Sequence, residues 1–250
     1  MHILITNDDG IGAPGLLALR QALASLGKIT VVAPSRNYSA AGHRKTMHKP
    51  LRIDETQLSD GSAAWVCSGA PSDCVALALL GFVKEKVDLV VSGINPTPNL
   101  GQDVTYSGTV TAAIEAVIAG VPGIAVSTEA ASPADYESAA QAAARVVEVA
   151  LRRGLPANTL LNINVPPAPI KGLRVTRQGW RVYRDELVER HDPRGRPYYW
   201  IGGEMPGGVP EEGTDFWALE QGYVSVTPLQ LDLTAYKTIP VVEAWFGSEA

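Results

Sequence analysis

The chain has 250 residues, 46% hydrophobic and 19% charged, a balance that excludes an intrinsically disordered protein and is large enough for a substantial core. The 24 glycines and 18 prolines follow no repeat period, so collagen-like and low-complexity readings fail. With 21 basic against 26 acidic residues the formal charge is −5, which disfavours a general electrostatic footprint for duplex nucleic acid.

His2 to Thr6 reads as a short buried strand that runs into a polar turn. Leu16, Leu19, Leu23 and Leu26 then recur at helical spacing, with Pro14 suited to a first turn and Gly27 to a stop. Ile29 to Ala33 and Ala64 to Cys67 are the next strands, and Pro71 to Phe82 reads as a helix. Asp88 to Val91 is predicted as a strand, Ser107 to Ala119 as a helix, Val121 to Ser127 as a strand. Ser132, Pro133 and Asp135 form a helix-start signature, and Ala139, Ala143, Val146, Val147 and Ala150 mark one face of the helix that Gly154 ends. Leu160 to Val165 is a further strand.

Strands apolar throughout, alternating with helices, predict a parallel sheet covered on both faces, an α/β fold of the Rossmann-like kind. From about residue 168 the pattern changes. Leu173 to Thr176, Tyr198 to Ile201 and Tyr223 to Thr227 are short β-prone pieces among Gly/Pro-rich loops. The expected organisation is a core over 1–167 and a β-rich extension over 168–250 that is not an independent domain.

The N-terminus enters a strand at once, without a basic then apolar leader, and the longest apolar run, Val75 to Val83, falls well short of the roughly 20 residues of a membrane helix. Cys67 and Cys74 lack the number and spacing of a disulfide framework or zinc site, and read as buried core thiols. A cytoplasmic protein, not associated with membranes, is expected.

Ligands of open parallel sheets bind outside the carboxyl ends of strands, so the loops after the strands carry the chemistry. Asn7-Asp8-Asp9-Gly10 follows the first strand. Adjacent carboxylates repel, and a turn at Gly10 would aim both at one point, where a hard divalent cation neutralises them; oxygen donors favour Mg²⁺ or Mn²⁺ over zinc. A solvated Asp-Asp-Gly turn is the competing reading. The segment Pro34 to Ile53 holds Arg36, Arg44, Lys45, Lys49 and Arg52 and no acid, with Ser39 in a flexible polar stretch. It attracts an anion or is merely a solvated basic loop. His43 within it is an acid/base candidate or a packing histidine. After the strand at Asp88, Asn95, Asn99 and Asp103 lead to a helix opening with Ser107-Gly108-Thr109. Free N–H groups and the dipole at such a start suit phosphate, whereas capping by Ser107 needs only one residue. Together the loops offer oxygen ligands for one cation and donors for one phosphate, a combination suited to metal-assisted phosphoryl hydrolysis.

The segments ILITNDDG, PSRNYSAAGH, SGINPTPNLGQDVTYSGTVTAAIEA, LNINVP, DPRGRPYYW and GYVSVTPLQLDLT occur in this order along nearly the whole chain and resemble the SurE family, survival protein E. The resemblance implies a divalent-metal-dependent 5′-nucleotidase that converts nucleoside monophosphates to nucleoside and phosphate, in a homo-oligomer assembled through the extension and C-terminal segment. It places metal ligands at Asp8, Asp9, Ser39 and Asn95, with either aspartate available as base, and phosphate-binding residues at Asn99, Ser107, Gly108 and Thr109. Two positions depart from the family: Thr97 stands where Gly is common, and Tyr236 where a DLTxH pattern has His. A phenol shuttles protons poorly near neutral pH, which puts a catalytic or hinge role there in question and leaves Tyr236 a positional role through hydrogen bonding. Rival readings are a haloacid-dehalogenase-type phosphatase, for which Asn7 is not a nucleophile, and a non-enzymatic nucleotide-binding module. A dinucleotide oxidoreductase lacks its G-x-G-x-x-G after the first strand. Arg174, Arg177, Arg181 and Arg184 read as a solvated or subunit-facing edge, and Trp180, Trp200 and Trp217 as packing of the extension.

Overall fold

The apolar runs of the first half become the middle of a nine-stranded sheet in a computed structural model that describes residues 1–203 and 207–247. Positions 204–206 and 248–250 of the extension lie outside the described residues. Strand β1 (His2–Thr6) leads to α1 (Pro14–Leu23), β2 (Lys28–Pro34), β3 (Ile53–Gln57), β4 (Ala63–Cys67) and α2 (Pro71–Leu77). Then follow β5 (Leu89–Asn95), α3 (Gly108–Ile118), β6 (Gly123–Thr128), α4 (Pro133–Arg153) and β7 (Thr159–Val165). The sheet order is β3-β4-β2-β1-β5-β6-β7, and from β4 to β7 every neighbouring pair is parallel. The chain builds outward from β1 in one direction, then returns to place β5 on its other side. The strand order therefore reverses between β1 and β5, which puts a ligand crevice at their carboxyl ends.

Alternation along β1 divides the core. Ile3 and Ile5 pack with Leu16, Leu19 and Leu23 of α1 and with Ala139, Ala143 and Val147 of α4. Leu4 faces the other way, toward Val32, Cys67, Cys74, Val75, Ala112 and Ala116 under α2 and α3. Both thiols are buried and free, as their spacing predicts. Helix α4 opens as its sequence signature requires: Ser132 N donates to Asp135 Oδ2 at 2.7 Å, closing a capping box behind Pro133.

Several boundaries differ from the sequence reading. Helix α1 stops at Leu23 rather than at Gly27. The stretch expected as one helix over Pro71 to Phe82 is α2 followed by a wider π turn over Ala78–Phe82, within which Gly81 takes φ 120°. Strand β3 was invisible to periodicity because its polar sequence IDETQ lies on an exposed edge, antiparallel to β4.

The C-terminal third adds β8 (Gly172–Val175), β9 (Trp180–Val182), β10 (Asp185–His191), β11 (Pro197–Gly203), β12 (Gly207–Val209), α5 (Asp215–Glu220), β13 (Tyr223–Gln230) and α6 (Ile239–Phe246). Strand β13 pairs antiparallel with β7 and parallel with β8, extending the central sheet. Strands β10 and β11 form a separate two-stranded ribbon, as do β9 and β12. Trp217 stacks on Tyr223, but Trp180 and Trp200 are exposed rather than packed. Arg181 is not a solvated edge residue: its side chain is largely buried, pairing with Asp103 at 2.8 Å and lying over Phe216. Among the described residues no helix is long and apolar enough to cross a membrane.

Candidate functional site

The crevice at the β1/β5 switch is built from the Asn7-Asp8-Asp9-Gly10 turn. Asn7 is buried and both ends of its amide are used on Gly10, Oδ1 accepting from Gly10 N at 3.2 Å and Nδ2 donating to Gly10 O at 2.9 Å. That clamp holds the two carboxylates on a tight bend instead of on opposite faces of a strand. It also leaves Asn7 as a structural amide.

Asp8 is buried against the start of α3. Thr109 Oγ1 donates to Asp8 Oδ1 at 2.5 Å, and a Cβ placed on Gly108 would lie 2.7 Å from Asp8 Cβ and 2.9 Å from Oδ2. Only glycine admits the carboxylate there. Burial raises the Asp8 carboxyl above its ordinary range, opposed by the Thr109 hydroxyl and by the amides of Asp8, Thr109 and Gly108. Ser107 is the N-cap of the helix, its Oγ accepting from Val110 N at 3.1 Å. The Ser107 amide is itself taken by Asp103 O at 3.1 Å, and the amides of Gly108 and Thr109 face the Asp8 carboxylate.

Asp9 lies on the more open side. Its Oδ1 accepts from Asn37 Nδ2 at 3.3 Å, while Oδ2 is buried without a partner. Burial first, and the Asp8 carboxylate next, push the Asp9 carboxyl up to about 6. Asn37 also accepts the Ser39 amide at 2.6 Å, and the Tyr38 amide donates to Asp8 O at 2.7 Å. The segment that carries Ser39 thus runs along the aspartate turn, with the Ser39 residue exposed. Asn95 ends β5, next to β1, and its Nδ2 donates to Thr97 O at 2.5 Å. Pro96 borders the same cavity as Asp9.

Asn99 sits deeper and farther along the sheet end. Its Nδ2 donates to Ser127 Oγ at 2.7 Å, its amide donates to Asn164 Oδ1 at 2.8 Å, and its carbonyl accepts from Asn162 Nδ2 at 2.8 Å and from Asn164 Nδ2 at 3.1 Å. These two β7 asparagines, within the LNINVP segment, hold the 99 loop; their conspicuous place on an otherwise apolar buried strand was the available signal. Asp215, also missed, is fully buried and accepts Gly101 N at 2.8 Å and Gly179 N at 2.7 Å, fastening the extension to the same loop.

The basic segment is latched rather than free. Buried Glu115 on α3 accepts from Lys45 Nζ at 2.9 Å and pairs with His43 Nε2 at 2.8 Å. Thr46 N and Oγ1 donate to Asp73 at 2.8 and 2.7 Å. His43 therefore serves the latch, away from the paired aspartates. Tyr236 lies on the exposed C-terminal arm and donates its hydroxyl to Asp232 Oδ2.

The donors fit a divalent cation on the structure's own terms. An orphaned buried oxygen on Asp9 beside the Asp8 carboxylate, with both carboxyls raised by burial and Asp9 further by the charge of Asp8, describes a seat that a hard cation would satisfy. Among the described residues there is no cluster of three or more His, Cys, Asp or Glu that competes for this role.

A profile of the family described as survival protein SurE matches residues 3–185. A protein of Chloroflexus aggregans named 5′-nucleotidase SurE is 53% identical over 98% of this chain and 99% of its own length. Another of that name, from Herpetosiphon aurantiacus, is 53% identical over 94% of both chains. The crystal structure of the Sure protein from Aquifex aeolicus superposes with a TM-score of 0.84 at 44% identity, covering 98% of this chain and 99% of the other. With the sheet order, the aspartate turn and the matched residues in agreement, the chain belongs to the SurE survival protein family.

Proposed function

We propose that the protein is a metal-dependent 5′-nucleotidase, hydrolysing nucleoside 5′-monophosphates to nucleoside and phosphate. One observation carries the reading: a clamped pair of neighbouring aspartates at the topological switch point, one with a buried oxygen lacking any partner, in a chain about half identical to named 5′-nucleotidases over its full length. Asp8, Asp9, Ser39 and Asn95 are the residues that would hold the cation, Mg²⁺ or Mn²⁺ by the hardness of the donors. When bound, such an ion polarises the phosphoryl group and makes water more acidic.

The chain's own groups supply the rest. Thr109 fixes the Asp8 carboxylate, and Asn37 fixes Asp9 and the Ser39 backbone, so neither acid must be oriented during the reaction. The Ser107 hydroxyl and the positive end of the α3 dipole meet the phosphoryl oxygens, with Gly108, Thr109 and Asn99 lining the cradle behind them. Asp8 and Asp9 both lie at the turn where a water would be activated, and either carboxylate is placed to take its proton. No nucleophilic carboxylate stands at Asn7, so attack by water rather than an aspartyl-phosphate is the route.

Hydrolysis of 3′-monophosphates and short polyphosphate is included in the proposal, since the cradle reads the phosphoryl group alone. A cytoplasmic location fits the two free buried thiols. The core over 1–167 carries the chemistry, and the extension over 168–250 joins subunits into a dimer or tetramer. Phosphate release from a panel of nucleotides, with and without a chelator, tests the proposal. Release from nucleoside 5′-monophosphates that the chelator abolishes is expected; release indifferent to chelation would contradict it.

A further inference from the structure

Asp8 and Asp9 face different surroundings. Asp8 is tied to the start of α3, whereas Asp9 borders a cavity of about 330 Å³ on the opposite side of the turn. That cavity is lined by Ile11, Gly12, Pro96 and Tyr136, with Ser35 and Arg36 contributing the polar portion. A second cavity of about 340 Å³ shares Ile11, Gly12 and Tyr136 and leads on toward Gln21 and Gln57. Both volumes lie within the lower range of small-molecule sites, roughly 300–1,000 Å³.

We propose that this furrow seats the nucleobase of the substrate, with the Tyr136 ring as its stacking surface and the Arg36 guanidinium at its mouth. The inference rests on the nucleotidase reading and adds to it the part of the protein that recognises the base. Asp9 itself borders the furrow, so a nucleotide whose phosphoryl group is held at the paired aspartates has Ile11, Pro96 and Tyr136 beside it, with the ribose spanning the space between phosphate and base. These three residues give the furrow an apolar and aromatic side that matches the face of a base. Arg36 already lies over the Tyr38 ring at 5.1 Å, so its planar group is held without being consumed by an acid. Tyr136 packs over the first turn of α1, its Cε1 lying 3.0 Å from a Cβ built on Gly15, which fixes the ring.

Gly12 provides a clean probe. A Cβ there meets nothing within 4 Å, and no left-handed backbone forbids a side chain. Gly12→Leu therefore fills the furrow without disturbing either aspartate, and Tyr136→Ala removes the stacking surface independently. The experiment compares adenosine 5′-monophosphate with ribose 5-phosphate, which lacks the base, and measures binding of adenosine alone by calorimetry. Each variant should raise KM for adenosine 5′-monophosphate by about tenfold and leave ribose 5-phosphate within about twofold, since one stacked base contributes on the order of a tenfold factor or more. Adenosine binding should weaken by the same factor. Equal losses on both substrates, no loss on either, or adenosine binding unchanged in both variants would overturn the inference. If the wild type cleaves no phosphate ester yet binds adenosine in a manner Gly12→Leu weakens, the furrow stands and the nucleotidase reading falls.

Discussion

At Gly108 the sequence pointed to a phosphate-binding helix start; the structure adds a second reason for glycine, a carboxylate packed where a side chain would otherwise stand. The Asp8-Asp9 pair was legible, because two adjacent acids before a glycine after a buried strand form a compact local pattern. Asn37, which orients Asp9, and Asn162 and Asn164, which hold Asn99 from 63 to 65 positions away, were not, since such partners become neighbours only once the sheet forms. The pair also fixes a pH dependence. Burial and Asp8 raise the Asp9 carboxyl from 3.8 to about 6, so the folded protein holds this proton more tightly than the unfolded chain does. In the absence of a divalent cation the ionised pair lowers stability above about pH 6, and the loss is relieved as the pH falls from about 6 towards 3.8. Cation-free wild type should therefore gain Tm relative to Asp9→Asn between about pH 7 and about pH 5. Parallel Tm profiles for the two proteins would contradict this assignment.

Among the exposed strands, β8 and β11 were caught as β-prone pieces by composition, whereas β3 and β10 were missed. Helix α4 announces itself by Ser132, Pro133 and Asp135 and by an alanine-rich stripe, whereas β3 and β10 (DELVERH) bury almost nothing and so carry no period-2 signal. The basic loop between β2 and β3 shows how composition misleads at this scale. It reads as solvated charge, yet Glu115 of α3 draws His43 and Lys45 down onto the helix whose first turn holds Asp8. The latch therefore links the Ser39 segment to the same helix whose start packs on Asp8. Lys45→Ala leaves the buried Glu115 carboxylate with half its partners and should lower stability to urea by about 1.5–3 kcal/mol, the range for a hydrogen bond to a charged group. A change below about 0.5 kcal/mol, the level of an ordinary surface substitution, would show that the loop is not held this way.

For the whole molecule, the central sheet was read correctly as mostly parallel, but its extent was not. Strands β13 and β8 join it from the far end of the sequence, a pairing that no local pattern encodes. Beyond β13 the chain leaves the body: α6 has no buried residue, and Trp245 is 71% exposed on it. The β10–β11 ribbon likewise presents Leu187 at 72% and Ile201 at 83% exposure. Apolar surfaces of this kind on two projecting elements fit subunit contacts. Light scattering should find an oligomer for the full chain and a smaller or weaker assembly for a chain ending at Gln230, and a monomeric full chain would contradict the assembly. The chemistry itself is tested most directly by phosphate release from adenosine 5′-monophosphate with the Asp9→Asn variant at saturating Mg²⁺ or Mn²⁺. Loss of turnover with the fold and melting behaviour retained is the predicted result; near-normal turnover would contradict the role given to the paired aspartates.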